Sequence, residues 1–375
     1  MSDIKILVVG AGISGLSFLH ACLAKGIQPR LIERASGWSN EGAGICLPGN
    51  AMLAFEKLGL GDKILSCSHQ VNTITYAKSC GTVLSSASLE QSPLDKAPFV
   101  SLQRAELLDI LREGMDSHVS FNCEIDSIQG GDKGVKVSFH DGSIENFDLV
   151  VAADGLHSRT REMAFSDSGL IDLGTTNWRF ISQAKKHLSE PVYYIGSDSA
   201  FMTYPMANQK VYCYAQVIDP NKSLLNTNAK TSLAHIFKDY ADEVVQCIEG
   251  IDEEEVVSGV LSSVSNTYYP QHNIALIGDA LHGCPPSLQQ GVGMGVEDAI
   301  VLAQSLSSKS QEEALQEFTL LRQKRVDWVV DESNKIIRLA ATGRSLIGRL
   351  IRNLVIRLSG PSNVKGWKYL MSQKS

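Results

Sequence analysis

Ile4-Lys5-Ile6-Leu7-Val8-Val9-Gly10-Ala11-Gly12-Ile13-Ser14-Gly15 is the stretch from which the fold of this chain can be read. Its first six residues form a short β-branched run, the pattern of a strand buried in a parallel sheet. A helical pattern follows from Leu16 to Lys25 and stops at Gly26, and Pro29-Arg30-Leu31-Ile32-Glu33 reads as a second strand ending in an acid. This is the order of a dinucleotide-binding unit. Gly10 permits the tight turn, Gly12 lets the backbone approach a pyrophosphate, and Gly15 lets helix and strand pack closely. The helix start at Ile13 and Ser14 offers unpaired N–H groups and a partial positive charge to phosphates. Glu33, with Arg34 beside it, can accept hydrogen bonds from ribose hydroxyls and would repel a 2′-phosphate. The unit suits NAD and FAD alike.

Composition narrows the rest. With 375 residues, 43% hydrophobic and 20% charged, the chain is long enough for two domains and too apolar for disorder. A net charge of −7 argues against a nucleic-acid partner, which needs a basic face. The charge is unevenly spread: Ser333–Ser375 holds nine Lys or Arg and no acid, so the tail is +9 and the remainder −16. No apolar run is long enough to cross a bilayer, and the first residues lack the pattern of a signal peptide. Eight cysteines are scattered without a CxxC pair or metal-ligand spacing, so reduced thiols, a cytoplasmic location and no metal site are expected.

Two later stretches repeat the logic of the first. Asp148-Leu149-Val150-Val151-Ala152 is a buried strand ending in Ala153-Asp154-Gly155-Leu156-His157-Ser158-Arg159-Thr160-Arg161. Ile274-Ala275-Leu276-Ile277 is another, ending in Gly278-Asp279-Ala280-Leu281-His282. Pro285-Pro286 and Gln290-Gly291 follow, then a helix opening at Val292 and carrying Glu297-Asp298-Ala299. The order GxGxxG, DGxxSxxR, GDAxH…PP…QG…ED resembles the FAD-dependent aromatic hydroxylases, the single-component flavoprotein monooxygenases of the p-hydroxybenzoate hydroxylase type. Within that family the chain looks most like the salicylate- and urate-hydroxylase branch. Gly42-Ala43-Gly44-Ile45, Pro48-Gly49-Asn50-Ala51, Leu58-Gly59-Leu60 and Arg104 opening a helix agree, and the resemblance runs from Ile4 to about Leu358.

The resemblance implies an α/β fold: a Rossmann-like FAD-binding domain, an antiparallel-sheet substrate domain and C-terminal helices. Residues 1–75, 100–172 and 270–342 would form the first, 76–99 and 173–269 the second, and 343–375 a basic amphipathic helix and tail. FAD would contact Gly10, Gly12, Ile13, Ser14, Gly15, Glu33, Arg34, Gly44, Arg104, Asp154, Gly155, Gly278, Asp279, Gly291, Val292 and Gly293. Asp279, at the carboxyl end of a parallel strand, can bind ribityl hydroxyls. The helix from Val292 aims its positive end at the flavin N(1)–C(2)=O edge, with Val292 and Gly293 as donors, although Gly291, Gly293 and Gly295 equally suit close helix packing. Arg104 would reach the pyrophosphate, and Arg161 would fix the Asp154 turn as an ion-pair partner. Pro285 and Pro286 would wall the reactive carbon, with His282 nearby as a positioning residue. Three positions depart from the family: Gln289 stands for a usual glycine, Gly293 for a common asparagine and Leu281 for a usual alanine.

Between these motifs, 134–147 reads as a hairpin around Asp141-Gly142. From about Thr175 to Tyr269 strands predominate, with a helix over Thr231–Cys247, and aromatic residues concentrate in them. One face of that sheet must wall a flat substrate, and Arg179, Tyr204 and Tyr214 are the pocket candidates. At the tail, Leu346, Ile347, Leu350, Ile351, Leu354, Val355 and Leu358 recur at helical spacing. This stripe is expected to dock on the acidic body rather than on a membrane.

The implied reaction consumes NADPH or NADH and O2 and hydroxylates a small aromatic or heteroaromatic substrate through a flavin C(4a)-hydroperoxide. The alternatives are an FAD-dependent reductase or dehydrogenase that inserts no oxygen, and a monooxygenase that inactivates a tetracycline. A monomer or homodimer is expected.

Overall fold

The computed structural model describes residues 4–39, 42–183 and 188–373. Five parallel strands form its first sheet, in the order 274–276, 149–152, 6–9, 30–32 and 119–120. Ile6, Leu7 and Val8 in the middle strand are fully buried, as a continuous apolar run requires. The register places Val9 beside Ala152, and Ala152 beside Leu276. All three motifs therefore leave the sheet at one edge, the carboxyl ends of adjacent strands, where open α/β sheets bind ligands.

Helices pack on this frame in chain order. α1 (Ile13–Leu23) follows the glycine turn, α2 (Gly49–Lys57) and α3 (Gly61–Cys67) come next, and α4 (Arg104–Arg112) opens at a capping box of Gln103 and Glu106. α5 (Arg159–Ala164) starts after Ser158, whose hydroxyl accepts from the Arg161 N–H. The 134–147 segment is a hairpin as expected, and it pairs with a third strand, Ile125–Gly131.

A seven-stranded sheet covers the edge where the motifs emerge. It combines Thr73–Lys78 and Val83–Ser88 with strands 170–182, 192–195, 199–205, 211–218 and 257–264. It is antiparallel except where Val192–Ile195 runs parallel to Thr73–Lys78. Its outer face buries Trp178, Phe180, Tyr194 and Phe201 against α6 (Ala229–Ile236) and α7 (Asp242–Glu249). The single helix expected over Thr231–Cys247 is therefore two. Phe237 is fully buried, Tyr240 donates to the Ser199 carbonyl, and the Ala241 N–H is drawn to the Ser79 carbonyl at 2.7 Å. These tertiary contacts end the first helix where local pattern would continue it.

α8 (Asp279–His282), α9 (Gly291–Ser308) and the long α10 (Gln311–Ala341) complete the frame on the parallel-sheet side. The tail forms α11 (Leu346–Ser359) and α12 (Ser362–Ser372), and here the expectation is overturned. α11 turns its polar side inward: Arg352 is buried and donates to the Gly196 carbonyl at 2.7 Å, while the apolar stripe faces out. Docking is done by α12 instead, through buried Trp367, whose indole N–H bonds the Leu288 carbonyl at 2.8 Å. The eight cysteines form no disulfide, and no helix among the described residues is long and apolar enough to cross a membrane.

Candidate active site

The cavity between the parallel-sheet edge and the seven-stranded sheet has a volume of about 1350 Å³. Gly12, Ile13, Ser14, Gly44, Arg104, Gly155, Asp279, Pro285, Pro286, Gln289, Gly291 and Val292 line its lower side. At the glycine turn, Gly10 takes φ +100°, and a Cβ at Gly15 would overlap the Gly10 carbonyl oxygen. At Gly12 an added Cβ would meet nothing within 4 Å, so the backbone is bare towards the cavity. The first α1 bond runs from Leu16 N–H to the Gly12 carbonyl, which leaves the N–H groups before it for a ligand. Glu33 accepts from the Ala11 N–H at 2.9 Å and the Ala35 N–H at 3.0 Å, so it braces the turn from the neighbouring strand end. Arg34 is exposed beside it.

At the second motif, Asp154 accepts from the Ser158 hydroxyl and from both the N–H and hydroxyl of Thr160. The expected Asp154–Arg161 ion pair does not form. Arg161, fully buried, gives its guanidinium to three carbonyls: Leu156 at 2.7 Å, Ala280 at 2.9 Å and Ser168 at 3.2 Å. It thus ties the second motif to the third, a role that its spacing alone does not reveal. Arg104 lies over Gly42, where a Cβ would press on its Cδ and Nη1 atoms.

At the third motif, the Asp279 Oδ1 lies 3.4 Å from where a Cβ on Gly291 would sit, so the carboxylate and the α9 N-terminus share one corner of the cavity. The first α9 bond runs from Met294 N–H to the Gln290 carbonyl, leaving the Gly291 and Val292 N–H groups without a helical partner. The Gly293 N–H precedes that bond as well, while its Cα packs on Asn50 and Ala51 of α2. Gly10, Gly15 and Gly278 shape turns from behind, and Gly295 packs on Ser14 and Gly278. Gln289 adopts φ +51°, the left-handed conformation that explains the glycine usual there. Its Nε2 bonds the Pro286 carbonyl, while its buried Oε1 has no partner.

His282, expected as a positioning residue, is not part of the cavity wall. It is buried behind the wall and donates from Nε2 to Asp298 Oδ2 at 2.8 Å. Asp298 accepts as well from the Gly278 N–H at 3.0 Å and from Arg322 Nε at 2.7 Å. Arg322 reaches Glu297 too, and Arg325 grips Glu297 with two bonds of 2.7 and 2.8 Å. Glu297 Oε1 and the Gln290 amide both accept from Asn50. Burial would raise the pKa of both acids, but Arg322, with Arg325 at Glu297 and His282 at Asp298, outweighs it and holds them below the usual carboxylate range. Asn50, Arg322 and Arg325 were not singled out as site residues in the sequence.

The upper wall follows from strand register. Arg179 pairs with Tyr214, Tyr214 with Met202, Tyr212 with Tyr204, and Met202 with Tyr193. Paired residues share a face, so these side chains, with Asn177 and Gln216, line the cavity. Tyr204 and Tyr193 share a hydroxyl–hydroxyl bond, and Asn363 donates to Tyr193. Burial pushes the Tyr193, Tyr204, Tyr212 and Tyr214 hydroxyls well up, although Arg179 opposes it at Tyr212 and Tyr214. The three pocket candidates are thus together; Tyr193, Met202 and Tyr212 complete the wall they belong to.

The residues present fit FAD. A bare glycine backbone and Arg104 suit the pyrophosphate, the Asp279 carboxylate suits the ribityl hydroxyls, and the Gly291 and Val292 N–H groups suit the ring's polar edge. The sequence profile of a family described as an FAD binding domain matches residues 3–332. The chain is 27% identical over 344 residues to an aurachin C monooxygenase/isomerase of Stigmatella aurantiaca, covering 89% of each chain. It is 27% identical over 363 residues to a 2-heptyl-3-hydroxy-4(1H)-quinolone synthase of Pseudomonas aeruginosa, covering 94% of each. Among solved structures, Klebsiella pneumoniae HpxO complexed with FAD and uric acid superposes with a TM-score of 0.89 at 24% identity, covering 99% of this chain and 97% of that one.

Proposed function

The chain belongs to the FAD-dependent aromatic hydroxylase family, and from that premise we propose that it hydroxylates a flat aromatic or heteroaromatic ring held between the seven-stranded sheet and the α9 N-terminus. It is an FAD-dependent monooxygenase. FAD supplies the redox chemistry when bound, taking electrons from NADPH or NADH and activating O2, so the chain's own groups bind, orient and exclude water. Residues 1–75, 100–172 and 270–342 would hold the flavin, and 76–99 with 173–269 the substrate.

One observation carries the substrate reading: Arg179, Tyr214, Tyr212, Met202 and Tyr204 lie on one face of the sheet, opposite Pro285, Pro286 and Val292 across a single cavity. Aromatic faces and a thioether stack on a flat ring, and Arg179 would anchor an anionic or enolate oxygen. Because burial keeps the Tyr204 and Tyr193 hydroxyls protonated at neutral pH, they would donate hydrogen bonds rather than act as a base. Pro285 and Pro286 give the wall opposite a rigid shape. The aurachin, quinolone and urate chemistry named for its relatives supports heteroaromatic rings first.

The test is anaerobic bleaching of the bound flavin by NADPH and by NADH, with and without aromatic acids, phenols, purines, 4-quinolones and tetracyclines. Acceleration by one class, weakened in Arg179→Met, names the substrate. Fast bleaching that ignores every ligand would replace hydroxylation with a reductase.

A further inference from the structure

We propose that α11 seats its outward apolar face on an anionic lipid bilayer, making the protein a peripheral membrane enzyme. Leu346, Ile347, Leu350, Ile351, Leu354 and Leu358 are between 55% and 80% exposed, though their spacing is that of a core-facing stripe. With Val355 they make seven of the fifteen exposed large hydrophobic residues among those described, gathered on one 14-residue helix. A patch this concentrated marks an interaction surface, whereas single exposed leucines do not.

The orientation is fixed from below. Arg352 and Ile356 are the buried residues of α11, Arg352 is bonded to Gly196, and the Ser345 hydroxyl caps the first turn by accepting from the Gly348 N–H at 3.0 Å. Rolling the stripe inward would lift a buried arginine off its carbonyl partner. The same body that α11 packs on therefore holds its greasy side out.

Charge selects the occupant. Arg344 and Arg357 are exposed at the two ends of the stripe, and the nine cations of Ser333–Ser375 meet no acid within that segment. A second copy meeting this face across a two-fold axis would set the exposed Arg344 and Arg357 of one basic helix against those of another. An anionic bilayer satisfies both the apolar stripe and its basic flanks, the combination that holds an amphipathic helix in the interface plane. At 14 residues α11 is shorter than the roughly 20 needed to span a bilayer, so it lies on the surface. Ile356 and Ser359 on the inner side line the cavity, so the part of it that α11 borders lies about one helix diameter, roughly 10 Å, from the lipid. The expectation of no membrane association rested on docking of this stripe, and that ground is gone.

The test is sedimentation of the full-length, FAD-loaded protein with vesicles of phosphatidylcholine, alone or with a third phosphatidylglycerol, at physiological ionic strength. Flavin absorbance reports both the bound fraction and an intact fold. Pelleting with the anionic vesicles alone is expected, lost in Leu350→Glu/Leu354→Glu. Arg344→Gln and Arg357→Gln should each weaken binding roughly fivefold. Failure to pellet, or pelleting unchanged by the glutamates, would overturn the proposal. So would a dimer, seen by light scattering without vesicle binding, that Leu350→Glu/Leu354→Glu splits; the face would then belong to a second copy.

Discussion

Arg322→Met is the perturbation that most directly tests how the cavity corner at Asp279 and the α9 N-terminus is held. Arg322 donates at 2.7 Å to both Asp298 and Glu297, and all three side chains are nearly inaccessible to water. Methionine keeps the apolar stem and removes the charge, leaving Asp298 to His282 and Glu297 to Arg325. Breaking a buried ion pair from one side costs about 3–5 kcal/mol; with two partners left in place, the lower end, about 3 kcal/mol, is expected. That is a large share of a typical total of about 5–15 kcal/mol. The assay is urea unfolding followed by circular dichroism and flavin fluorescence. Acidity supplies the sign. In the native protein burial would raise the Asp298 pKa, but Arg322 and His282 hold it down, so its contribution is fully present above the unfolded value of about 4. Without Arg322 burial wins and the folded pKa rises, so stability falls as pH rises through the carboxylate range. The deficit should therefore be largest at neutral pH and shrink towards about pH 5. A deficit under about 1 kcal/mol, or one that grows on acidification, would refute the reasoning.

Four further outcomes follow from the structure. Gly15→Ala forces a Cβ into the Gly10 carbonyl and should destabilise the apoprotein by about 1–3 kcal/mol in urea. Gly12→Ala adds its methyl to open space, so it should leave the apoprotein unchanged and weaken only FAD titration. Gln289→Gly relieves a left-handed residue worth about 1–2 kcal/mol, against a backbone entropy cost of about 0.5–1 kcal/mol. A small gain in thermal stability is the expected result, and a loss would mean that the Gln289–Pro286 bond matters more than the strain. Burial raises the pKa of eight of the ten tyrosines: Tyr76 and Tyr240 reach about 12, while Tyr193, Tyr194, Tyr204, Tyr212, Tyr214 and Tyr269 go higher or well above the usual range. The folded state holds these protons when the unfolded chain has released them, so stability is lost as pH climbs above about 10. Ultraviolet titration should show most tyrosinate appearing together with unfolding; independent titration near pH 10 would contradict their burial.

What could be read in the sequence divides by how local its cause is. The Gly10, Gly12 and Gly15 spacing was legible because a tight turn between strand and helix imposes it within six residues. The hairpin at Asp141-Gly142 is likewise local. Tyr204 and Tyr214 could be placed in the antiparallel sheet, but only register puts Arg179 beside Tyr214 on the cavity face and Trp178 beside Ala215 on the other. Arg161 was legible as part of a motif, yet its partners include the Ala280 carbonyl, 119 positions away. Arg322 and Arg325 look like any arginines on a long helix. Nothing in their spacing announces that Glu297 lies beneath them. α11 shows the opposite limit, since periodicity identifies an apolar face without saying which way that face turns.

The glycines of α9 show how one short stretch answers two demands. Gly291 is bare towards the cavity, whereas Gly293 and Gly295 let the helix lie against α2 and against Ser14. Unpaired N–H groups at a helix start are useful to a cofactor only if that start cannot drift. Here close glycine contacts fix it sideways, and the next turn is anchored by Glu297 and Asp298 to Arg322 and Arg325 of α10. The Glu297–Asn50–Gln290 chain then returns to the residue just before the free N–H groups. Charge buried at this cost adds little to stability compared with well-packed apolar groups. Its value lies in position: Asp298, one of the two acids that anchor α9, also holds the Gly278 N–H, so Asp279 and the α9 N-terminus are tied together. A cavity corner assembled from separate strand and helix ends is in this way held as one rigid piece.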